Sequence, residues 1–372
     1  MKVLHVFKAY MPDREGGAIR FIDSLASGLS QRGVSARVLA LGPRTELVQH
    51  CGYEAIRLAP RWRLGDMCLP GELESELRSQ RAWADIVHFH MPWPVAAAAN
   101  RSIASKGPML ITHHADLVRP PPIGLIHDRA VRSFYRSADA VVATSEAYAR
   151  SSRILSGVGA RLRVIPIGIP PVGPTPRFER EGRVESWLGG DGSATFAFVG
   201  VFRRYKFLHV LVRAAAGTPH RVVLAGDGPE RAGLERQAAR LGARNVIFTG
   251  YISDSEREQL LARCDAFVLP SGSRAEAFGI CLLEAARHGK PMISCELGGG
   301  SSFINANGVT GLVVPPRKPR ALRSAMDAVA SDAEMRARMG RAALARFEQL
   351  FTASHMHDAY LDLYGQLINR VR

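Results

Sequence analysis

Short runs of apolar and β-branched residues alternate with longer stretches of helical periodicity from the first residue of the chain onward. Residues 2–7 predict a buried strand, residues 18–31 a helix, and residues 36–41 the next strand. Strands that are buried on both faces and separated by helices are typical of a parallel, doubly wound α/β sheet. The same criteria predict further strands at residues 84–90, 108–113, 140–145 and 161–167.

A segment rich in proline and glycine, residues 171–193, interrupts this alternation and predicts a linker. Beyond it the alternation resumes, and from residue 321 onward the composition is helical, with Pro319 as a helix start. The predicted strands of this second half span residues 194–201, 221–225, 245–249, 266–270, 291–295 and 311–314.

These elements predict an α/β protein with two Rossmann-like domains that face each other across a cleft. The first domain is expected at residues 1–170 and the second at residues 194–352, and the final helix, at about residues 353–372, should pack back on the first. A length of 372 residues agrees with two domains. In such folds, ligands bind at the carboxyl ends of the strands.

Composition bears on the cellular context. No apolar run approaches the roughly 18 residues of a membrane span, and the first ten residues lack the pattern of a signal peptide, so we expect a cytoplasmic protein. The five cysteines are widely spaced and form no Cys-x-x-Cys pair. This spacing argues against a disulfide framework and against a structural zinc site.

Charge is the unusual feature of the composition. Lysine and arginine together number 49 against 34 acidic residues, so the formal net charge is +15. A nucleic acid, a phosphate-rich ligand or an anionic membrane surface would each suit a protein of this sign. Basic and aromatic residues are seldom interleaved, which disfavours a nucleic acid.

Three predicted strand ends carry features that suit a phosphate group. Glycine before a helix lets backbone amides approach an anion, and a cluster of cations at a strand end can hold a diphosphate. Ordinary turns would explain the same residues equally well. The residues at these three strand ends are Gly16 and Gly17, Gly226, and the cluster of Arg203, Arg204 and Lys206.

Two glutamates, Glu276 and Glu284, are separated by seven residues. If a helix starts near Phe278, Glu276 lies in a strand-end loop and Glu284 lies about one and a half turns into the helix, among apolar neighbours. A carboxylate in apolar surroundings requires a partner. Ligand hydroxyls would supply one, and a structural salt bridge is the alternative.

Histidines cluster at two strand ends of the first half. His88 and His90 end one predicted strand, His113 and His114 end the next, and Asp116 follows two residues later. Adjacent strand ends would bring them into one cleft, and their spacing is compatible with a metal. No complete ligand set appears in the second half and no Asp-x-Asp sequence occurs, so we expect no metal.

As a set, these residues resemble the retaining nucleotide-sugar glycosyltransferases of family 4, which have the GT-B fold. The resemblance covers nearly the whole chain and includes the Gly16-Gly17 loop, residues 112–116 and residues 164–168. Its most specific item is the E-x7-E signature from Glu276 to Glu284. Residues 295–314 look most like the bacterial members that add mannose or rhamnose to surface polysaccharides.

The resemblance implies a hexosyltransferase that needs no metal or other cofactor. Its donor would be a nucleoside-diphosphate sugar, with a GDP-sugar favoured over a UDP-sugar. Its acceptor would be a glycan, linked to polyprenyl diphosphate, in the synthesis of lipopolysaccharide O-antigen or exopolysaccharide. The enzyme would act as a peripheral protein at the inner face of the cytoplasmic membrane, with no nucleic-acid partner.

Position by position, the resemblance places His114 at the reaction centre and Glu276 on hydroxyls of the donor sugar, as the catalytic residues. It places Glu284 on the ribose, and Lys206 with an arginine on the diphosphate. The other donor-binding residues that it implies are Gly16, Gly17, Gly226, Ile252, Phe278 and Gly279.

The chain departs from the family pattern at two positions. Val201 stands where the family has an arginine after the strand, and Phe207 stands where it has a glycine after the lysine. Arg203 or Arg204 would then supply the missing cation.

Two other enzyme classes remain open at this point. One is a metal-dependent hydrolase built on His88, His90, His113 and His114, which bound metal would reveal. The other is a sugar-nucleotide epimerase of the same fold, which its product would distinguish.

A helix predicted near residues 123–137 carries Arg129, Arg132 and Arg136 on one face, and Phe134 and Tyr135 add aromatic area beside them. An ordinary surface helix would show the same pattern. With Asp116, these arginines are predicted to form the acceptor and membrane side of the site, because basic and aromatic groups can dock on an anionic membrane.

Overall fold

The structure is a computed structural model that describes residues 1–10, 16–64, 67–70, 72–101, 107–116, 123–173, 182–188 and 192–370. The chain folds into two compact units. The first comprises Met1–Ile169 together with Ala353–Arg372, and the second comprises Pro170–Thr352.

Strands and helices alternate along the first unit. In addition to two short 3-10 turns, Leu155–Gly157 and Gly159–Arg161, its elements up to residue 164 are β1 (Lys2–Phe7), α1 (Gly17–Ser30), β2 (Ser35–Leu41), β3 (Glu46–His50), β4 (Tyr53–Leu58), β5 (Pro60–Leu64), β6 (Met67–Pro70), α2 (Leu73–Trp83), β7 (Ile86–Met91), α3 (Pro94–Arg101), β8 (Met109–His113), α4 (Ile123–Arg136), β9 (Ala140–Ala143), α5 (Glu146–Ser151) and β10 (Leu162–Val164).

Eight of these strands form one sheet in the order β10-β9-β8-β7-β1-β2-β4-β3. Neighbouring strands run parallel except for β3, which pairs antiparallel with β4 at the edge. Strands β5 and β6 form a separate antiparallel pair. The strand order of this sheet changes direction between β1 and β7. This is the position where doubly wound sheets open a crevice for a ligand.

The C-terminal helix Ala353–Asn369 belongs to this first unit. Gly28 of α1 lets it approach closely, since a Cβ there would lie 2.0 Å from His357 Cε1. Arg32 Nε donates to Asp358 Oδ1 at 2.9 Å. The helix also buries Tyr360 and Tyr364 completely, so it contributes to the core of the first unit.

The second unit has the same alternation of strands and helices. In addition to a 3-10 turn at Arg204–Lys206, its elements are α6 (Gly182–Trp187), β11 (Thr195–Val199), α7 (Leu208–Ala215), β12 (Arg221–Ala225), α8 (Arg231–Arg240), β13 (Val246–Gly250), α9 (Asp254–Arg263), β14 (Ala266–Leu269), α10 (Ile280–Arg287), β15 (Met292–Cys295), α11 (Gly300–Ile304), β16 (Gly311–Val314), α12 (Pro319–Ser331) and α13 (Ala333–Leu350). The helix Ala353–Asn369 is then α14.

Its six strands are all parallel and follow the order β13-β12-β11-β14-β15-β16. Counted from β11, this is the 3-2-1-4-5-6 order of a dinucleotide-binding sheet. The two doubly wound, Rossmann-like units confirm the predicted fold class. Within the segment expected to be a linker, α6 forms a helix that buries Val184 and Trp187.

Membrane-spanning helices need both length and apolarity. Over the ranges that the structure describes, every helix falls short of that combination.

Candidate functional site

The strand order of the second unit changes direction between β11 and β14, which are neighbours in the sheet. The loop after β11 carries Lys206, in the 3-10 turn Arg204–Lys206. The loop after β14 carries Ser271 and Glu276 before α10 begins. Two neighbouring parallel strands therefore deliver a cation and a carboxylate to the topological switch point.

Lys206 and Glu276 form a buried ion pair at this point. Lys206 Nζ lies 2.5 Å from Glu276 Oε2, and Ser271 Oγ donates to the same oxygen at 2.8 Å. Only 8% of Lys206 and 7% of Glu276 is exposed. Burial alone would lower the pKa of Lys206, but the Glu276 carboxylate raises it above its ordinary value, so the ammonium stays charged.

Two further cations stand at the same strand end. Arg203 and Arg204 are exposed, and neither side chain has an ion pair or hydrogen bond among the described residues. The backbone carbonyl of Arg203 accepts from the Lys206 amide at 2.9 Å, so Arg203 and Lys206 are held in the same turn. Since Glu276 neutralises Lys206, the two arginines provide the uncompensated positive charge of this loop.

Glu284 lies on α10, which begins at Ile280, two residues after Phe278, near which the sequence predicts the start. The reason is that Gly279 caps the helix in a left-handed conformation, with φ of 90°. Glu284 Oε1 is 3.6 Å from Arg257 Nε, and Arg257 also pairs with Asp254 and Glu258. Its carboxylate therefore has a cation within its own unit.

The remaining predicted donor residues have packing roles that the structure makes visible. A Cβ on Gly226 would lie 2.2 Å from the Gly200 carbonyl oxygen, so only glycine allows these two loops to approach. Phe278 is 4% exposed and Ile252 is 9% exposed. These contacts explain the residue types without a ligand, so their donor-binding roles stay predictions.

The histidines of the first unit meet at its own switch point, where β1 and β7 are neighbours. His5, His88 and His90 are completely buried. His88 bonds Thr112 Oγ1 and the Tyr364 hydroxyl, both at 2.7 Å. His90 lies between His5 and His114, at 3.1 and 3.0 Å.

His113 is separate from this cluster, contrary to the expectation that the strand ends bring all the histidines together. Because side chains alternate along a strand, His113 points to the opposite face of β8 from Thr112 and His114. Its Nδ1 lies 2.6 Å from the Tyr135 hydroxyl and its Nε2 lies 3.1 Å from Asp116 Oδ1. Ser152 Oγ also donates to Asp116 Oδ1, so Asp116 closes a local network.

Gly16 and Gly17 open α1, with Gly16 as the N-cap residue. Gly16 has extended backbone, which any residue adopts, and a Cβ there would meet no atom of the described residues within 4 Å. The rest of the predicted loop, residues 11–15, lies outside the described residues. The phosphate-binding role of Gly16 and Gly17 stays a prediction.

Helix α4 places its arginines and its aromatic residues on different faces. Arg129 and Arg136 are exposed and Arg132 is half-buried. Phe134 and Tyr135, in contrast, are 3% and 1% exposed, and Phe134 packs edge-on against Phe89. The expectation that both aromatic residues lie beside the arginines as docking area is therefore wrong, because they belong to the core.

Sequence reasoning missed residues that complete both groups. His5 joins the histidine cluster from β1, and the only available signal was a polar residue inside an otherwise apolar strand. Ser271 shares Glu276 with Lys206, and serine after a strand is too common to stand out. Tyr360 and Tyr364 come from α14, far away in sequence, at a spacing of four residues.

Two protein-family models match the chain. Residues 184–346 match the model described as glycosyl transferases group 1, and residues 15–172 match the model described as Glycosyltransferase Family 4. Among individual proteins, the O-antigen chain mannosyltransferase C of Escherichia coli is 37% identical over 371 residues, which is 99% of each chain. The D-rhamnosyltransferase WbpZ of Pseudomonas aeruginosa is 38% identical, over 95% of this chain and 93% of its own.

Solved structures agree in fold. Sucrose-phosphate synthase from Thermosynechococcus elongatus superposes with a TM-score of 0.82 at 21% identity, over 99% of both chains. The Anabaena protein HepE in complex with UDP superposes with a TM-score of 0.78, also at 21% identity, over 99% of this chain and 100% of its own. At this identity, the superpositions establish the GT-B architecture of the chain.

Proposed function

Because the chain belongs to the family 4 glycosyltransferases, we propose that it transfers a hexose from a nucleoside-diphosphate sugar to a glycan, with retention of the anomeric configuration. The relatives named as a mannosyltransferase and a D-rhamnosyltransferase support a mannose-type sugar, and therefore a GDP-sugar over a UDP-sugar. The O-antigen named for the first relative supports a glycan acceptor linked to polyprenyl diphosphate, in the assembly of a surface polysaccharide.

The buried pair of Lys206 and Glu276 at the switch point is the observation that carries this proposal. When the donor binds, its diphosphate would take Lys206 as partner and the sugar hydroxyls would take Glu276. Arg203 and Arg204 would add the cation that the family has at position 201. As the bond between sugar and phosphate breaks, negative charge grows on the leaving diphosphate, and these preformed cations would lower the barrier.

The first unit would contribute His114 as the catalytic residue at the transferred sugar. The residue is 9% exposed, and burial lowers the pKa of its ring to about 3, so the ring would meet the donor uncharged. It would then position the sugar through a hydrogen bond and would not act as a cation.

We propose that transfer needs no metal. His5, His88 and His90 have ring nitrogens near enough to one another to share an ion. However, both ring nitrogens of His88 and of His90 already lie within hydrogen-bond distance of protein groups. A metal would have to replace these bonds, so hydrogen bonding accounts for the cluster that suggested a hydrolase.

Substitution of Lys206 tests the donor site. Lys206→Ala should lower donor affinity by roughly one to two decades, since a charge-assisted hydrogen bond is worth about 1.5–3 kcal/mol. It also leaves Glu276 buried without its cation, which destabilises the fold. The double variant Lys206→Ala, Glu276→Gln removes that unpaired charge, so it should regain stability without regaining donor binding. Wild-type affinity in either variant would contradict the assignment.

Turnover after chelation separates this proposal from its rivals. Transfer should survive EDTA, and His114→Ala should lower turnover more than donor affinity. Activity that is lost in EDTA and restored by Mn²⁺ or Zn²⁺ would support the histidine-cluster hydrolase. Conversion of one sugar nucleotide into another, with no glycan product, would identify an epimerase.

A further inference from the structure

Three histidine rings of the first unit form a chain that ends at His114. His5 lies on β1 and His90 on β7, and His114 directly follows β8, so three neighbouring strands each supply one ring. His5 Nδ1 is 3.1 Å from His90 Nε2, and His90 Nδ1 is 3.0 Å from His114 Nε2. The proposed function uses only the last ring.

The two ends of the chain differ in environment. His5 Nε2 is buried and has no hydrogen-bond partner among the residues that the structure describes. At the other end, His114 is the only one of the three residues with any exposure, at 9%. Its Nδ1 likewise has no hydrogen-bond partner among the described residues. The chain of rings therefore runs from a sealed interior to a residue that is partly exposed.

All three rings are neutral. Burial lowers the pKa of His5 and of His114 to about 3, and it places the pKa of His90 well below its ordinary value. A neutral imidazole carries a single N–H, on Nδ1 or on Nε2, and accepts a hydrogen bond at the other nitrogen. Each of the two contacts needs one donor and one acceptor.

Only two proton arrangements satisfy both contacts. In the first, every ring carries its proton on Nδ1: His5 donates to His90, His90 donates to His114, and His114 Nδ1 presents an N–H. In the second, every ring carries its proton on Nε2, both hydrogen bonds reverse, and His114 Nδ1 presents a lone pair. Any mixture leaves two lone pairs or two N–H groups facing each other in a buried contact, which costs free energy.

We propose that His5, His90 and His114 change tautomer together, so that His5 and His90 are positioning residues that set the hydrogen-bonding character of His114 Nδ1. This inference rests on the proposed function, which puts His114 at the transferred sugar. The form with an N–H on His114 Nδ1 is the one that engages the donor, because a nucleotide sugar presents mainly oxygen acceptors and an anionic diphosphate. In that form, the unpaired atom at His5 is an acceptor, and orphaned buried acceptors are tolerated better than orphaned N–H groups.

His88 provides a matched control. It is as buried as His90 and lies two residues away on the same strand. Its partners, Thr112 Oγ1 and the Tyr364 hydroxyl, can each donate or accept. The tautomer of His88 is therefore independent of the three linked rings. Substitution of His88 should leave the tautomer of His114 unaffected.

NMR spectroscopy of the full-length protein, labelled with ¹⁵N at histidine, tests the coupling directly. Long-range proton–nitrogen correlations distinguish protonated from unprotonated ring nitrogens, and single histidine variants assign them. We expect His5, His90 and His114 to share one tautomer at neutral pH. Different tautomers in the three rings, or a charged ring among them, would overturn the inference, and this measurement does not depend on activity.

Kinetics of His90→Phe and His88→Phe then test the role in transfer. His90→Phe should release the tautomer of His114 and lower turnover by roughly tenfold more than His88→Phe, with little change in donor KM. Equal losses in the two variants would reduce His90 to a structural residue and overturn the positioning role. If His114→Ala transfers normally while the wild type still shows a shared tautomer, the proposed function fails and the coupling stands.

Discussion

At the scale of single residues, Glu284 lies 3.6 Å from Arg257 of its own unit and is also predicted to hold the ribose of a donor. Glu284→Gln should lower donor affinity by roughly one to two decades if it holds the ribose. Stability should change little, because Arg257 keeps Asp254 and Glu258 as partners. Equilibrium donor binding and urea unfolding measure the two effects. Unchanged donor binding with a loss of stability would make Glu284 a structural residue.

Phe207 adopts a left-handed backbone conformation, with φ of 53°, which strains any residue other than glycine. Its ring compensates by stacking against Arg317, whose guanidinium carbon lies 4.8 Å from the ring centroid. Once the ring is removed, alanine and glycine differ in this strain and in the conformational entropy of the unfolded chain. Phe207→Gly should therefore be more stable than Phe207→Ala by roughly 0.5–1 kcal/mol, which is the strain of about 1–2 kcal/mol less the entropy cost of glycine.

Urea unfolding of the two variants measures this difference. Val201, which is exposed and lacks a positive φ, serves as the control position, where alanine should be more stable than glycine. If the alanine variant is more stable than the glycine variant at both positions, residue 207 carries no strain.

The residues that sequence reasoning found share a visible signal. Lys206 and Glu276 are charged groups beside apolar strands, and the rule that ligands bind at strand ends pointed to both. Their direct pairing could not be predicted, because it depends on which two strands become neighbours in the sheet. His5 stayed hidden for the same reason, since a single buried histidine acquires meaning only when β7 places His90 beside it.

At the scale of elements, α4 has two exposed arginines, whereas Phe134 and Tyr135 are buried and add no docking area. We still propose that its arginines guide the protein to an anionic membrane, at about 1 kcal/mol per basic residue near the surface. Substitution of Arg129, Arg132 and Arg136 by glutamate should therefore reduce co-sedimentation with anionic liposomes at low salt. High salt should weaken wild-type binding as well.

A second triple variant controls for overall charge. Arg236, Arg240 and Arg244 are exposed in the second unit, and their replacement by glutamate changes the net charge by the same amount. This control should sediment like the wild type if α4 forms the docking surface. Equal sedimentation of all three proteins would exclude a membrane role for α4 and leave the transferase proposal intact.

Strands that consist of a short apolar run were predictable, and strands that mix apolar and charged positions were not. All six strands of the second unit were predicted, because each is a short apolar run between helices. In the first unit β3, β4, β5 and β6 were missed. In β3 and β4 the apolar pattern is interrupted by charges that pair across strands, Glu46 with Arg57 and Glu54 with Arg37 of β2. The antiparallel direction of β3 follows from the two-residue turn, Cys51 and Gly52, that joins it to β4, and both residues of this turn have positive φ.

At the scale of the whole molecule, the sequence indicated the fold class and the enzyme class through different arguments. The alternation of elements predicted two doubly wound units, whereas the transferase class came from the resemblance carried by Glu276, Glu284 and the glycine loops. The net charge of +15 restricted the partner to an anion without choosing among anions. The base, sugar and acceptor depend on contacts that strand patterns do not determine.

Nucleotide release from defined donors tests the central claim most directly. Purified protein would be incubated in EDTA with GDP-mannose, GDP-rhamnose or UDP-glucose, each with and without an extract that contains polyprenyl-diphosphate-linked glycans. We predict that at least one GDP-sugar yields GDP, that the extract stimulates release and receives the labelled sugar, and that Lys206→Ala yields neither product. Turnover of UDP-glucose but of neither GDP-sugar would contradict the donor assignment. Absence of sugar transfer from all three donors would contradict the proposed function.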